Sequence, residues 1–204
     1  MQKIRELYKR PASQGFTLIE MAIVLVVIGL ILGMVFKGRQ LIASAKVKNA
    51  NAGYNKVIAG MNIFYDRYGF YPGDGCSDYN EGDPMTCDED KNGLVETTSN
   101  NDDTAAFFDL MVAKDILTKA DTESALGDAW NATGNSNSTW IYVESADARI
   151  VCDLDRVADD GDSDDGDIRS GSDMTSWGGE NDYDNDTDCW DETGTTGVQL
   201  KILP

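Results

Sequence analysis

Histidine is absent from this chain of 204 residues. Its absence removes the commonest general base and the commonest transition-metal ligand. The sequence also lacks a nucleophile elbow, a phosphate-binding loop and any Cys-x-x-Cys pair. It therefore shows no motif for nucleophilic catalysis, nucleotide binding or a zinc site. Carboxylates are so abundant that a glycosidase-like pair would arise by chance. The sequence predicts that the chain is not an enzyme.

Basic residues are scarce. There are 17 Lys and Arg against 36 Asp and Glu, which gives a net charge of -19 at pH 7. A charge of this sign disfavours contact with nucleic-acid phosphates and with anionic lipid surfaces. We therefore expect no nucleic-acid partner. We also expect copies of the chain to repel one another unless cations or salt screen the charge.

The first 36 residues have the opposite character. Residues 1–15 carry four basic side chains against the single acid Glu6, and the segment from Phe16 to Phe36 contains only one charge, Glu20. This apolar segment of 21 residues is long enough to cross a hydrocarbon core of about 30 Å at 1.5 Å per residue. The basic leader favours a cytoplasmic N-terminus, so the rest of the chain is predicted to be exported.

The run Gly15-Phe16-Thr17-Leu18-Ile19-Glu20-Met21 joins the leader to the apolar segment. It resembles the class III signal of the type IV pilin and pseudopilin family. This resemblance implies cleavage after Gly15 by a membrane prepilin peptidase and N-methylation of Phe16. It also implies a homo-oligomeric helical filament, built by inner-membrane assembly machinery, whose core consists of these helices. The new α-amino group of Phe16 would be a cation close to Glu20 of the same or a neighbouring subunit.

Two other interpretations explain less of this segment. A secretory signal has a shorter apolar core with its cleavage site after that core, whereas Gly15 precedes the apolar run. A plain signal anchor accounts for the length and the flanking charge, but for neither Phe16 nor Glu20.

Beyond Gly38 the sequence predicts that the helix continues to Gly69, with Pro72-Gly73 after it. Apolar and aromatic side chains recur there at three- and four-residue spacing, which indicates a face that packs on a core: Tyr54, Val57, Ile58, Met61, Phe64, Tyr65 and Tyr68. A second helix is predicted from Thr104, as its cap, to Ala120.

Three strands are predicted from β-branched and aromatic content: Trp140 to Val143, Arg149 to Cys152 and Val198 to Leu203. The expected fold is α+β and type IV pilin-like, with a long N-terminal α-helix packed on an antiparallel β-sheet head that has extended acidic loops. We expect a cleaved leader (1–15), a transmembrane or filament-core helix (16–37), an amphipathic continuation (38–71) and a globular head (72–204).

The head contains three acidic runs that could bind Ca²⁺. The first looks like nine positions of a calcium loop, with oxygen ligands at alternate positions: Asp88, Asp90, Asn92, the Leu94 carbonyl and Glu96. Its twelfth position is Ser99 instead of Glu, so Asp102 or Asp103 would have to substitute.

The second acidic run supplies Asp153, Asp155, Asp159 and Asp160. The stretch from Asp155 to Gly161, with Gly166 to Arg169 and the earlier Tyr71-Pro72-Gly73-Asp74, also resembles several pilin-like proteins. The third run alternates Asp182, Asp184, Asp186 and Asp188. For all three runs the competing interpretation is a solvated acidic surface adapted to a salty medium.

Four cysteines in an exported head favour two disulfides over thiol chemistry. Of the three connectivities, we predict Cys76 with Cys87, which would staple the first acidic loop, and Cys152 with Cys189, which would close the later one.

The sequence thus predicts a structural subunit of a type IV pilus-like filament. It would lie in the inner membrane before assembly and on the cell surface afterwards, in adhesion or motility. One alternative is a pseudopilin of a type II secretion system. Another, of a different class, is a membrane-anchored calcium-binding adhesion module that does not polymerise.

Overall fold

The computed structural model describes residues 15–76, 87, 91–95, 104–135, 137–171 and 183–203. The chain divides into two compact units, one up to Leu41 and one from Ile42 onward. The leader, residues 1–14, lies outside the described residues.

The longest element is helix α1, Leu18–Tyr68, of 51 residues. By length and composition it is the one helix among the described residues that could cross a membrane, with a mean hydropathy of 2.8 over its most apolar window. None of that window is buried. The part of α1 within the first unit therefore contributes no side chains to a core.

The part of α1 in the second unit has a buried face. Val57, Met61 and Phe64 are almost fully buried there, at the spacing of a core-facing helix stripe. The helix ends where Gly69 adopts a φ of 81° and donates its N–H to the Tyr65 carbonyl, as a left-handed residue after a helix does. The predicted stripe is thus mostly buried, although Tyr65 and Tyr68 at its end stay exposed.

In the described part of the chain, a four-stranded antiparallel sheet forms the other side of this core. The strands are β1 (Asn131–Asn135), β2 (Ser138–Asp147), β3 (Ile168–Gly171) and β4 (Thr195–Leu203). Their order is β1-β2-β4-β3, so β1 and β3 are the edges. Tyr54 of α1 donates its hydroxyl hydrogen bond to the Lys201 carbonyl of β4. The predicted α+β arrangement of a long helix on an antiparallel sheet is confirmed.

Two of the three predicted strands lie within β2 and β4, and the third prediction was wrong. Arg149 to Cys152 belongs to helix α3, Ala148–Ala158. Asp147 caps this helix by accepting a hydrogen bond from the Arg149 N–H. Ala148, Val151 and Asp155 are buried together, which is helical spacing. The β-branched content of this stretch reflects burial, and not extended backbone.

The second predicted helix is shorter than expected. Helix α2 spans Ala105–Ala113, because Asp115 adopts a left-handed φ of 56° and turns the chain. A short 3-10 helix, Lys119–Thr122, follows. Thr104 occupies the cap position, but with helical backbone angles and no capping hydrogen bond from its side chain.

Candidate functional site

Thr17 and Glu20 form a reciprocal capping box at the start of α1. The Thr17 N–H and hydroxyl donate to Glu20 Oε2 at 2.8 and 2.7 Å, and the Glu20 N–H donates to Thr17 Oγ1 at 3.3 Å. This arrangement satisfies backbone donors that a helix start leaves free. The signal was present as Thr-x-x-Glu, but sequence reasoning gave Glu20 only a charge pairing with the Phe16 α-amino group of the same or a neighbouring subunit.

The apolar segment after this box is exposed along its whole length. Every large apolar side chain from Phe16 to Phe36 is between 44% and 89% exposed. An apolar surface of this extent is not stable in water and marks a contact with lipid or protein. The segment therefore requires an apolar environment from outside the chain.

A second group of functional side chains lies at the end of α3. Asp155, Asp159 and Asp160 each offer a carboxylate oxygen, and these atoms lie within 4.8 Å of one another; we call these residues the acidic triad. Asp155 Oδ1 accepts a hydrogen bond from the Gly161 N–H at 3.1 Å. Asp155 Oδ2 accepts one from the Tyr183 hydroxyl at 3.0 Å. Burial raises the pKa of Asp155 to about 6, against the opposing effect of these two donors.

The rest of the acidic triad is held by the loop that follows. Asp159 Oδ2 accepts hydrogen bonds from the N–H groups of Asp167 and Ile168, at 2.5 and 2.7 Å. Gly166, at a φ of 74°, passes so close to the triad that an added Cβ would lie 3.0 Å from Asp160 Oδ2 and nearer still to Asp159. This cradle of three hard oxygen donors could hold a metal ion.

Asp153, the remaining predicted ligand of this run, is on α3 but outside the acidic triad. Residues two apart in a helix, such as 153 and 155, point in different directions, and Asp159 follows the last residue of α3 with non-helical backbone angles. Burial raises the pKa of Asp153, Arg156 lowers it and Asp188 raises it.

The first predicted calcium loop falls partly outside the described residues, which omit Asp88, Asp90 and Glu96. Within it, Asn92 and Gly93 donate their N–H groups to the buried carboxylate of Asp74, at 3.1 and 3.0 Å. Asn92 Oδ1 accepts from the Leu94 N–H. Sequence reasoning singled out Asp74 only within the Tyr71-Pro72-Gly73-Asp74 turn and missed that it organises this loop.

The third acidic run forms a hydrogen-bonded turn. Asp184 Oδ1 accepts from the N–H groups of Asp186 and Thr187 and from the Thr187 hydroxyl. Arg156 donates to the carbonyls of Asp184 and Thr187. Within the described part of the chain, this run contributes no carboxylate to a metal-binding group; Asp182 lies outside that part.

Both predicted disulfides are present. Cys76 is bonded to Cys87, and Cys152 of α3 is bonded to Cys189. The Cys152–Cys189 bond attaches the third acidic run to α3, because Cys189 directly follows that run. All four cysteines are therefore occupied and cannot act as zinc ligands.

The family described as the prokaryotic N-terminal methylation motif matches residues 10–36, which include the capping box and the exposed apolar segment. The N-terminal segment of the chain carries this methylation motif. The match ends before the head, so the motif concerns the N-terminal segment alone.

Among solved structures, the chain is similar to the major Type IV pilin PilA1 from Clostridium difficile. The two share 10% sequence identity at a TM-score of 0.43, over 80% of this chain and 98% of the other. No curated protein matches the chain.

Proposed function

We propose that the chain is a structural subunit of a type IV pilus-like filament that polymerises through the first part of α1. The observation that carries this proposal is the methylation motif at the head of a helix whose large apolar side chains are all exposed from Leu18 to Phe36. In this proposal the leader is removed after Gly15 and Phe16 is methylated. The exposed segment would lie in the inner membrane before assembly and in the filament core afterwards.

Glu20 supports this proposal through its charge. An acid at the centre of a membrane helix costs about 2.5–3.5 kcal/mol, and it costs less near the end of the helix. Cleavage after Gly15 would create an ammonium group on Phe16, one residue from Thr17, which already binds Glu20 Oε2. A contact between Phe16 and Glu20, within one subunit or between two, would neutralise both charges in the apolar core.

We further propose a surface pilus in adhesion or motility, as opposed to a secretion pseudopilus. The exposed and acidic surface of the head supports a subunit that faces an aqueous medium. The partners would be further copies of the chain, a prepilin peptidase and the inner-membrane assembly machinery. A pseudopilin and a calcium-binding anchored module remain the competing functions.

The deciding measurement is mass spectrometry of the N-terminus in sheared surface filaments. An abundant peptide that begins at N-methylated Phe16 would support a processed pilus subunit. Processed protein that stays in the envelope fraction would favour a pseudopilin. A chain that keeps Met1 and enters no filament would contradict polymerisation and favour the anchored module.

We also propose that the acidic triad binds Ca²⁺. A divalent cation would neutralise carboxylates that the fold holds within 4.8 Å of one another, and Ca²⁺ prefers such oxygen ligands. The ion would connect α3 to the loop around Gly166 and would stabilise the folded head.

Asp160→Asn tests this proposal, with Asp184→Asn as a matched control. Both aspartates are exposed, and each accepts a hydrogen bond from the N–H group two residues later. Ca²⁺ should raise the melting temperature of wild type and of Asp184→Asn by several degrees, and that of Asp160→Asn by much less. If NaCl at equal ionic strength raises the melting temperature as much as Ca²⁺ does, the acidic surface reflects salt adaptation and not a Ca²⁺ site.

A further inference from the structure

The charges of the chain are segregated along the sequence. Between Met21 and Tyr65 there is no acid, and five basic residues occur: Lys37, Arg39, Lys46, Lys48 and Lys56. From Asp66 onward there are 34 acids and 8 basic residues. The helix that the proposed filament buries is thus basic beyond its apolar part, whereas the remainder of the chain is strongly acidic.

Within the second unit, the three lysines of α1 differ in their partners. Lys56 forms an ion pair with Asp121 at 2.6 Å. Lys46 lies near enough to Asp147 to contribute to the lowering of its pKa, a shift caused first by Arg149. Lys48 is exposed and forms no ion pair within the described part of the chain. Its charge is available to a partner.

Lys48 lies on the helix face opposite the core. At 100° per residue, it points away from the side on which Val57, Met61 and Phe64 are buried. Its face of α1 carries further exposed residues that are small or short and polar: Ala52, Asn55, Ala59 and Asn62. Short side chains let another protein surface approach the helix closely; we call this face, from Lys48 to Asn62, the outer face of α1.

The acidic surface has few cations of its own. Among the described residues, ion pairs engage only Asp121, Asp147, Asp165 and Asp167. Exposed carboxylates without an ion pair, apart from the acidic triad, remain in the two acidic segments that follow α3: Asp164, Asp184, Asp186, Asp188 and Asp191. Copies of the chain packed side by side would repel through these groups unless a basic surface faced them.

We propose that the outer face of α1, with Lys48 at its N-terminal end, binds the acidic loops of a second copy of this chain, residues 159–167 and 184–191. This inference rests on the proposed filament function and specifies how neighbouring subunits contact one another. Charge complementarity of this kind mainly sets orientation and partner choice. It would attract subunits in one register and repel them in others.

Charge reversal tests the contact. Lys48→Glu should lower the yield of sheared filaments at least about fivefold at low salt, with processing and the melting temperature unchanged. Lys119→Glu is the matched control, since Lys119 is also exposed and the change in net charge is identical. The deficit of Lys48→Glu should shrink as NaCl rises from about 0.1 to 1 M, where the Debye length falls from about 10 to 3 Å.

A zero-length carbodiimide cross-linker tests the pairing directly, because it joins an amine to a carboxylate in contact. Wild-type filaments should give dimers in which Lys48 is linked to residues 159–167 or 184–191, and monomers in detergent should not. Lys48→Arg keeps the charge but offers no amine for coupling, so its filaments should form and lose this cross-link.

Several results would overturn the inference. Equal filament loss in Lys119→Glu would show that net charge alone matters. Normal filaments from Lys48→Glu, while Glu20→Ala abolishes them, would disprove this contact and leave the filament function intact. Weaker binding of Lys48→Glu to phosphatidylglycerol vesicles with normal filament yield would assign this face to lipid. A wild-type chain that forms no filaments would overturn the proposed function and this contact together.

Discussion

The two parts of α1 differ in where they find their apolar partners. From Phe16 to Phe36 the large apolar side chains are exposed, and from Val47 to Phe64 one face is buried against the chain's own core. Both parts are continuous helix, so backbone structure alone does not distinguish them. The difference shows that one part of α1 belongs to the folding of the second unit, and that the other is reserved for contacts outside the chain.

The strongest test of this comparison replaces the same residue type in each part. Phe64→Ala removes a fully buried ring and should lower the free energy of unfolding by about 3–5 kcal/mol. Phe36→Ala removes a ring that is 68% exposed and should change it by less than about 0.5 kcal/mol. Chemical denaturation of the full chain in detergent measures both. Equal losses would mean that both parts of α1 contribute to one folding core.

Glu20 tests the part reserved for outside contacts. Glu20→Ala should be processed normally but should assemble more than tenfold less well, because the Phe16 ammonium would lack its partner in the apolar core. Glu20→Gln keeps an oxygen that can accept the Thr17 hydrogen bonds but has no charge. It therefore distinguishes the effect of the helix cap from that of the ion pair with Phe16. Filament yield and N-terminal mass spectrometry provide the readouts. Normal assembly of Glu20→Gln would contradict the charge-pairing role.

pH should act on the second unit through Asp155. Its pKa is raised from 3.8 to about 6 by burial, so its protonated form favours the folded state. The stabilisation is complete below about pH 4 and is lost as pH rises through 6. Without Ca²⁺, the free energy of unfolding should fall by about 1–1.5 kcal/mol from pH 5 to pH 7. The free energy of unfolding of Asp155→Asn should change little over this range. A rise with pH in the wild type would contradict the assignment of the raised pKa to Asp155.

The smallest expected effect concerns the attachment of α1 to the sheet. Tyr54→Phe removes the hydroxyl that donates to the Lys201 carbonyl and should cost about 1 kcal/mol. Tyr65→Phe is the control, since Tyr65 is exposed on the same helix. Thermal unfolding of both variants in the same detergent would measure the difference. A loss in Tyr65→Phe as large as that in Tyr54→Phe would show that the Lys201 contact is not specific.

The sequence was sufficient to predict secondary structure in the regions where the local pattern and the tertiary contacts agree. The extent of α1 followed from hydrophobic spacing and from Gly69, and the strands around Trp140 and Val198 followed from β-branched content. The stretch from Arg149 to Cys152 has similar content but is helical, because the Asp147 cap and contacts across the core decide its conformation.

The candidate site depends on more than position in the acidic run. Asp153 was predicted as a ligand by that position, whereas the carboxylates that lie within 4.8 Å of one another are those of Asp155, Asp159 and Asp160. The approach of Gly166 and Tyr183 to the acidic triad depends on turns between distant segments. No local pattern in one sequence encodes such contacts.

The order of the strands has a consequence for aggregation. The longest strands, β2 and β4, lie inside the sheet, and the edges are β1 and β3, with five and four residues. The edge sequences Asn-Ala-Thr-Gly-Asn and Ile-Arg-Ser-Gly are short, polar and glycine-containing, which makes them poor templates for cross-β stacking. In the proposed filament, which crowds many copies of the chain together, this order keeps the most amyloid-prone segments, β2 and β4, away from neighbouring copies.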